Sequence, residues 1–334
     1  MERTLDRRQL IISLGTGVVF GPQMTLAQVS SDRPKRVGLM IAIGEADPEG
    51  QERVGSFVRS LEKTGWVRGQ NVTVDVDWYS GNFQWAQTAA KKYVDGQVDV
   101  IVVNGTPGMD ALRTLRTSIP IVFVVVSDPV GAGYVPNLSR PGANVTGFST
   151  FEPEIAGKWL QFLIRMAPDL KNVSVLLDPK YTAFNSLWLE IENTAPKQGI
   201  TPHAAFASSL SEIERALDVV SKQEQPGLIV SPSPVNTVNR KRIISIVNEG
   251  RVPAIFPFRF YVRDGALMAY GFNAADQFRR AAAYVDRILK GEKPGDLPVQ
   301  GPISFEFGIN LKTAQSMGLT VPQSLLIAAD EIVQ

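Results

Sequence analysis

A chain with one histidine and no cysteine carries little conventional catalytic equipment. Without cysteine it has no disulfide framework, thiol nucleophile, iron–sulfur cluster or zinc–thiolate site. A Ser-His-Asp arrangement would have to recruit His203, which opens a short strand, and no Gly-x-Ser-x-Gly elbow accompanies it. The carboxylate pairs Glu152/Glu154 and Glu190/Glu192 sit on or beside helices as solvated charges, and no Asp-rich loop of the calcium type is present. These residues point to binding rather than catalysis. No enzyme activity, metal or cofactor is expected.

Two short segments are better suited to holding a ligand. Asn104-Gly105-Thr106-Pro107 stands between an apolar strand and a helix, so the Gly105 and Thr106 N–H groups and the Thr106 hydroxyl can hold a carboxylate at a helix N-terminus. Pro107 suits the first helical turn. Capping by Thr106 with no ligand is an equal alternative, and the Gly-Lys-Ser/Thr ending of a P-loop is missing. Ser127-Asp128-Pro129 follows the strongest β run of the chain, which puts the Asp128 carboxylate where an ammonium could pair with it. A turn role is equally open to an Asp before Pro.

The elements that must position these groups alternate. Residues 37–43, 72–78, 98–103 and 121–126 read as strands, and Val54, Phe57, Val58 and Leu61 share one helical face. The unit repeats with strands at 173–177, 228–231, 254–256, 266–270 and 303–309. Helices are expected near 155–166, 186–198, 210–224, 238–249 and 274–290. Alternation of this kind predicts an α/β fold of two doubly wound parallel-sheet lobes rather than one very wide sheet.

In open parallel sheets ligands bind outside the carboxyl ends of the strands. The corresponding loops are 44–49, 80–83, 104–108 and 127–131, then 178–184, 231–236 and 257–261. From these loops and their edges the candidate ligand contacts are Gly44, Glu45, Asn104, Gly105, Thr106, Ser127, Asp128, Tyr181, Phe184, Asn185, Ser231, Asn236, Phe256 and Phe258, with Tyr270 from a later strand. The second set is rich in aromatic side chains, which offer flat apolar walls to a ring.

Composition agrees with a folded soluble protein: 44% of the 334 residues are apolar and 20% charged. Lys and Arg number 34 against 33 acids with no basic run, so nothing marks a nucleic-acid surface. Arg3, Arg7 and Arg8 precede an apolar stretch over 10–20, the layout of a secretory signal peptide cleaved after Ala27. That stretch is about half the roughly 20 residues a membrane span needs. The expected mature chain is periplasmic, not lipid-anchored, and monomeric.

Four segments carry a family likeness: Gly-Thr-Pro at 105–107, Ser-Asp-Pro-Val-Gly-Ala-Gly at 127–133, Ser-Arg-Pro-Gly-Ala-Asn-Val-Thr-Gly at 139–147 and Leu-Met-Ala-Tyr-Gly-Phe-Asn at 267–273. With them the chain resembles the ABC-transporter substrate-binding proteins, in the group that includes tryptophan/tyrosine-binding members. The resemblance implies a type I periplasmic-binding-protein fold, with three hinge segments and a ligand enclosed between lobes of 35–148 plus 273–291 and 149–272 plus 302–334. It also implies a membrane permease as partner and an aromatic amino acid or related small carboxylate as ligand. A ligand-sensing receptor subunit, or a regulator-like core without a DNA-binding domain, shares these features.

Overall fold

Runs of β-branched residues build two sheets, and short polar loops turn each run into a helix that covers one face. The computed structural model describes residues 33–150, 155–180 and 184–334. In the first sheet β1 (Lys35–Ile41), β2 (Val72–Trp78), β3 (Val100–Asn104), β4 (Ile121–Val126) and β5 (Val145–Ser149) lie in the order β2-β1-β3-β4-β5, all parallel. β3 is buried along its whole length, as expected of a strand covered on both faces. The covering helices are α1 (Pro48–Lys63), α2 (Phe83–Asp95) and α3 (Thr106–Thr114). The Asp47 and Asn82 side chains each accept a backbone N–H of the first turn of α1 and α2, which fixes where those helices start.

The second sheet holds β6 (Asn172–Leu177), β7 (Thr201–Phe206), β8 (Pro226–Val230), β9 (Ala254–Phe256), β10 (Met268–Phe272), β11 (Phe305–Asn310) and β12 (Glu331–Val333). Their order is β12-β11-β10-β9-β8-β6-β7, parallel except for the β10–β11 pair. The run β7-β6-β8-β9-β10 repeats the winding of the first sheet, so each sheet has a topological switch point, between β1 and β3 and between β6 and β8. Helices α4 (Ile155–Met166), α5 (Phe184–Thr194), α6 (Leu210–Ser221), α7 (Pro234–Val238), α8 (Arg240–Glu249), α9 (Phe260–Arg263), α10 (Ala274–Leu289), α11 (Leu311–Met317) and α12 (Gln323–Ala328) complete the described chain.

α10 does not stay with the strands that flank it. It packs along α1 and against β4 of the first sheet, and Trp66 Nε1 donates to Asp286 Oδ1 at 2.9 Å across 220 residues of sequence. The chain therefore passes between the lobes three times: after β5, after β10, and again through the stretch before β11. These crossings are tied together. Gln277 donates to the Ser149 carbonyl at 2.8 Å and accepts the Val125 N–H at 3.2 Å, while Ser149 N donates to the Gln300 carbonyl at 2.9 Å. At the second crossing a Cβ on Gly271 would lie 1.8 Å from the Pro257 carbonyl oxygen, so only glycine lets β10 run this close to that loop.

Three elements differ from the sequence expectation. The helix expected over 186–198 ends at Thr194 because Pro196 cannot extend it, and a 3₁₀ turn follows. The helix expected over 238–249 starts at Arg240 as α8, and a separate short helix, α7, precedes it in the stretch expected as a loop, with Asn239 Nδ2 bonded to the Val235 carbonyl between them. β12 pairs with β11 although its three residues are too few to show a pattern. The expected signal peptide lies outside the described residues, among which no helix is long and apolar enough to cross a membrane.

Candidate functional site

The switch point of the first sheet faces the loops after β8 and β9 of the second, and a cavity of about 40 Å³ lies between them. From the first lobe it is lined by Ala42 and Ile43 after β1, Arg53 of α1, Asn104, Gly105 and Thr106 at the end of β3, and Val125 and Ser127 at the end of β4. From the second it is lined by Pro232, Pro234, Thr237 and Phe258.

Each wall follows from local structure. Gly105 turns β3 into α3 with φ 85°, a backbone conformation that favours glycine, and no side chain caps the helix it starts. Asn104, only 1% exposed, accepts the Ala42 N–H and donates to the Val124 carbonyl, both at 3.3 Å, so it fastens three strand ends together. Tyr79 donates its hydroxyl to the Asn104 carbonyl from below. Val125 sits at a register shift between β4 and β5 with φ 59°, an outlier for a β-branched residue. The Gln277 carboxamide takes up its N–H, and the bulge leaves Val125 lining the cavity.

Arg53 is the one charged group in this lining, and it is 3% exposed. Its Nε donates to Glu49 Oε1 at 2.8 Å and Nη1 to Asn104 Oδ1 at 3.3 Å; Nη2 has no partner among the described residues. Its guanidinium carbon stands 5.8 Å from the centre of the Phe258 ring in the other lobe. Opposite, Tyr261 donates to Thr237 Oγ1 at 3.1 Å, and burial pushes the Tyr261 phenol above its ordinary value, which keeps it a neutral donor.

A second inter-lobe space, about 630 Å³, adjoins the first: Pro234 lines both, and Pro107 of this cleft follows Thr106 of the cavity. Phe83, Val235 and Val238 give it apolar surface, and Asp110, Asp178, Lys180 and Ser208 polar surface. Beyond it, Arg240 of α8 bridges the lobes. Arg240 Nη1 lies 2.7 Å from Asp47 Oδ2 in the first lobe and Nε 2.6 Å from Asp264 Oδ2 in its own, over the Phe260 ring at 5.1 Å.

Of the residues expected from sequence, Asn104, Gly105, Thr106, Ser127 and Phe258 meet at the cavity. Others do not. Asp128, at φ 42°, accepts the Gly131 N–H on Oδ1 at 2.8 Å, the turn contact, and does not line the cavity as its neighbour Ser127 does. Phe256 is fully buried in β9 among core residues. Tyr270 packs against Phe162 and Phe305 inside the second lobe. Ser231 and Asn236 lie behind the wall, with Asn236 Nδ2 bonded to both the carbonyl and the hydroxyl of Ser231. Gly44 and Glu45 contribute backbone carbonyls to the loop that starts α1, accepting from Asp47 N and Gln51 Nε2, rather than lining the cavity. Tyr181 and the side chains of Phe184 and Asn185 lie outside the described residues, as do Glu152 and Glu154. His203 is a structural residue of β7, its Nε2 bonded to Asn172 Oδ1 at 2.8 Å. Among the described residues no three His, Cys, Asp or Glu are grouped to hold a metal.

Sequence reasoning missed Arg53, Val125 and Thr237. Arg53 left a signal: it falls on the stripe Gly50, Arg53, Phe57, Val58 and Leu61, where an inward-facing charge needs a reason.

The family model for ABC transporter substrate binding proteins matches residues 41–333. A tyrosine-binding protein of Clostridioides difficile is 25% identical over 299 residues, which covers 87% of this chain and 83% of that one. A solved conserved domain protein of Vibrio cholerae superposes with a TM-score of 0.83 at 27% identity, over 90% of this chain and all of that one. An ABC domain from Streptococcus pneumonia in complex with L-Trp gives a TM-score of 0.82 at 23% identity with the same coverage.

Proposed function

From a chain that belongs to the ABC transporter substrate-binding protein family, with its two-lobed type I periplasmic-binding-protein fold, we infer the extracytoplasmic binding component of an ABC importer that encloses an aromatic amino acid. The observation that carries this reading is a cavity lined from both lobes, at the switch point of the first sheet and by the loops after β8 and β9 of the second, so that a ligand there is held only when the lobes meet. The similarity to a tyrosine-binding protein supports the ligand class. Small-molecule sites usually enclose about 300–1,000 Å³, more than the 40 Å³ of the central cavity. The polar end of the ligand therefore occupies that cavity, against Asn104, Gly105, Thr106 and Ser127, and its ring reaches into the adjoining cleft beside Phe83, Val235 and Val238.

In this reading residues 1–27 are the export signal, the mature chain acts as a periplasmic monomer, and the lobes comprise 35–148 with 273–291 and 149–272 with 302–334. The α10 packing and the Gln277 bonds support the assignment of 273–291 to the first lobe. A thermal-shift series with the mature chain tests the ligand class. L-Tyrosine and L-tryptophan at about 100 times their Kd should add roughly 2.7 kcal/mol to stability by mass action, against no change with sugars or nucleosides. Stabilisation by sugars with none by aromatic amino acids refutes the reading.

A further inference from the structure

The buried charge of Arg53 has no complete set of partners among the described residues. On the apolar stripe of α1 the guanidinium spends Nε on Glu49 and Nη1 on Asn104, and Nη2 is left without an acceptor among the described residues. An unsatisfied donor at 3% exposure is costly, and Nη2 can donate to one carboxylate oxygen while the Thr106 donors at the start of α3 take the other. The same cavity receives the start of α3, where the Gly105 N–H is taken by the Val124 carbonyl and Pro107 has none, so that the Thr106 N–H and hydroxyl are the donors the helix start brings to the cavity. The helix dipole adds partial positive charge at that point.

The geometry points to Arg53 as the specificity-determining group of the inter-lobe site: with the N-terminus of α3 it holds a ligand carboxylate, so the protein accepts free acids and rejects their amides, amines and uncharged analogues. This rests on the binding function proposed above, which it deepens by naming the group that recognises the ligand. A monocarboxylate fits better than a phosphate. Glu49 already neutralises much of the single guanidinium, which leaves too little positive charge for a dianion, and the 40 Å³ cavity favours a flat anion over a tetrahedral one.

The test is calorimetric titration of L-tyrosine, L-tryptophan, their amides, tyramine, benzoate, inorganic phosphate and a neutral sugar into wild type, Arg53→Lys and Arg53→Met. Wild type should bind at least one acid and bind its amide at least about 30-fold more weakly, the loss expected when a buried charged group loses its partner. Arg53→Met should lose that acid-over-amide ratio, and Arg53→Lys should keep part of it. The ratio separates recognition from structure, because a variant that merely folds less well weakens acid and amide together. Circular dichroism establishes that each variant is folded, and Arg53→Lys keeps the test open if Arg53→Met is not.

An amide that binds as tightly as its acid, an unchanged ratio in Arg53→Met, or tight binding of tyramine or the sugar overturns the inference. If L-tyrosine and L-tryptophan fail but benzoate binds through Arg53, the carboxylate role stands and the aromatic amino acid reading falls. Selective phosphate binding overturns the choice of carboxylate, and failure of every acid in the series overturns both.

Discussion

Replacing Arg240 with methionine should hold the lobes apart. Arg240 is 6% exposed, and burial works against its charge, but hydrogen bonds to Asp47 and then Asp264 more than offset this and raise its pKa above the ordinary value. Removing it leaves two acids facing each other without their shared cation, a loss that typically costs about 3–5 kcal/mol when one partner of a buried pair goes. Only the Asp47 contact spans the cleft, so much of that cost falls on the form in which the lobes meet. Small-angle scattering should show a larger radius of gyration for Arg240→Met, and the affinity for an enclosed ligand should fall by a hundredfold or more, by the same order of energy. Asp47→Asn is the sharper variant. Asparagine still caps α1 as aspartate does, but cannot complete the inter-lobe ion pair. Scattering and affinity unchanged in both variants would mean that the bridge follows closure without stabilising it.

Trp159→Ala should cost the protein about 3–5 kcal/mol of stability, the usual range for deleting a buried indole. The side chain is 2% exposed within the core that joins α4 to the second sheet, and its Nε1 donates to the Tyr270 carbonyl at 2.6 Å. Alanine thus removes packing and also strips a donor from β10 just ahead of the second crossing. Trp159→Phe keeps most of the ring and loses only the donor, so it should cost about 1–3 kcal/mol. Urea denaturation measures both, through the shift in midpoint at constant slope. A loss below about 1 kcal/mol for the alanine variant would show that the second lobe repacks around the gap.

The sheets were legible because their signal is local. Val100 to Asn104 and Ile121 to Val126 are strands by composition alone, and the loop after each is a binding loop by topology. The Asn104-Gly105-Thr106 turn could be read for the same reason. Asp128 shows where local reading stops: a residue before proline can serve a ligand or a turn, and the turn contact from the Gly131 N–H is visible only in the fold. The aromatic residues were a harder case. Phe256, Phe258 and Tyr270 look alike in sequence, yet of these only Phe258 lines the cavity. Arg53 and Val125 were hidden for different reasons. Helical periodicity counts Val54 inward and passes over an adjacent charge, whereas a positive φ within six apolar residues depends on pairing with β5 and on Gln277, 152 positions away. The Arg240 bridge joins surfaces that meet only in the folded pair of lobes.

The return of α10 to the first lobe also decides when that lobe can exist. Its apolar face supplies Phe278, Ala281, Ala282, Val285 and Ile288 to the same core as Phe57, Val58 and Leu61 of α1, so that core is incomplete until residues 274–289 are available. A chain emerging from the ribosome or a translocation pore therefore presents its N-terminal half without the helix that closes it. By the time that helix appears, most of the second sheet has already been delivered. The first lobe is therefore completed only after most of the second has been delivered, and a nascent chain halted before Ala274 is left with the inner face of α1 bare, a surface for chaperones or proteases rather than a folded intermediate.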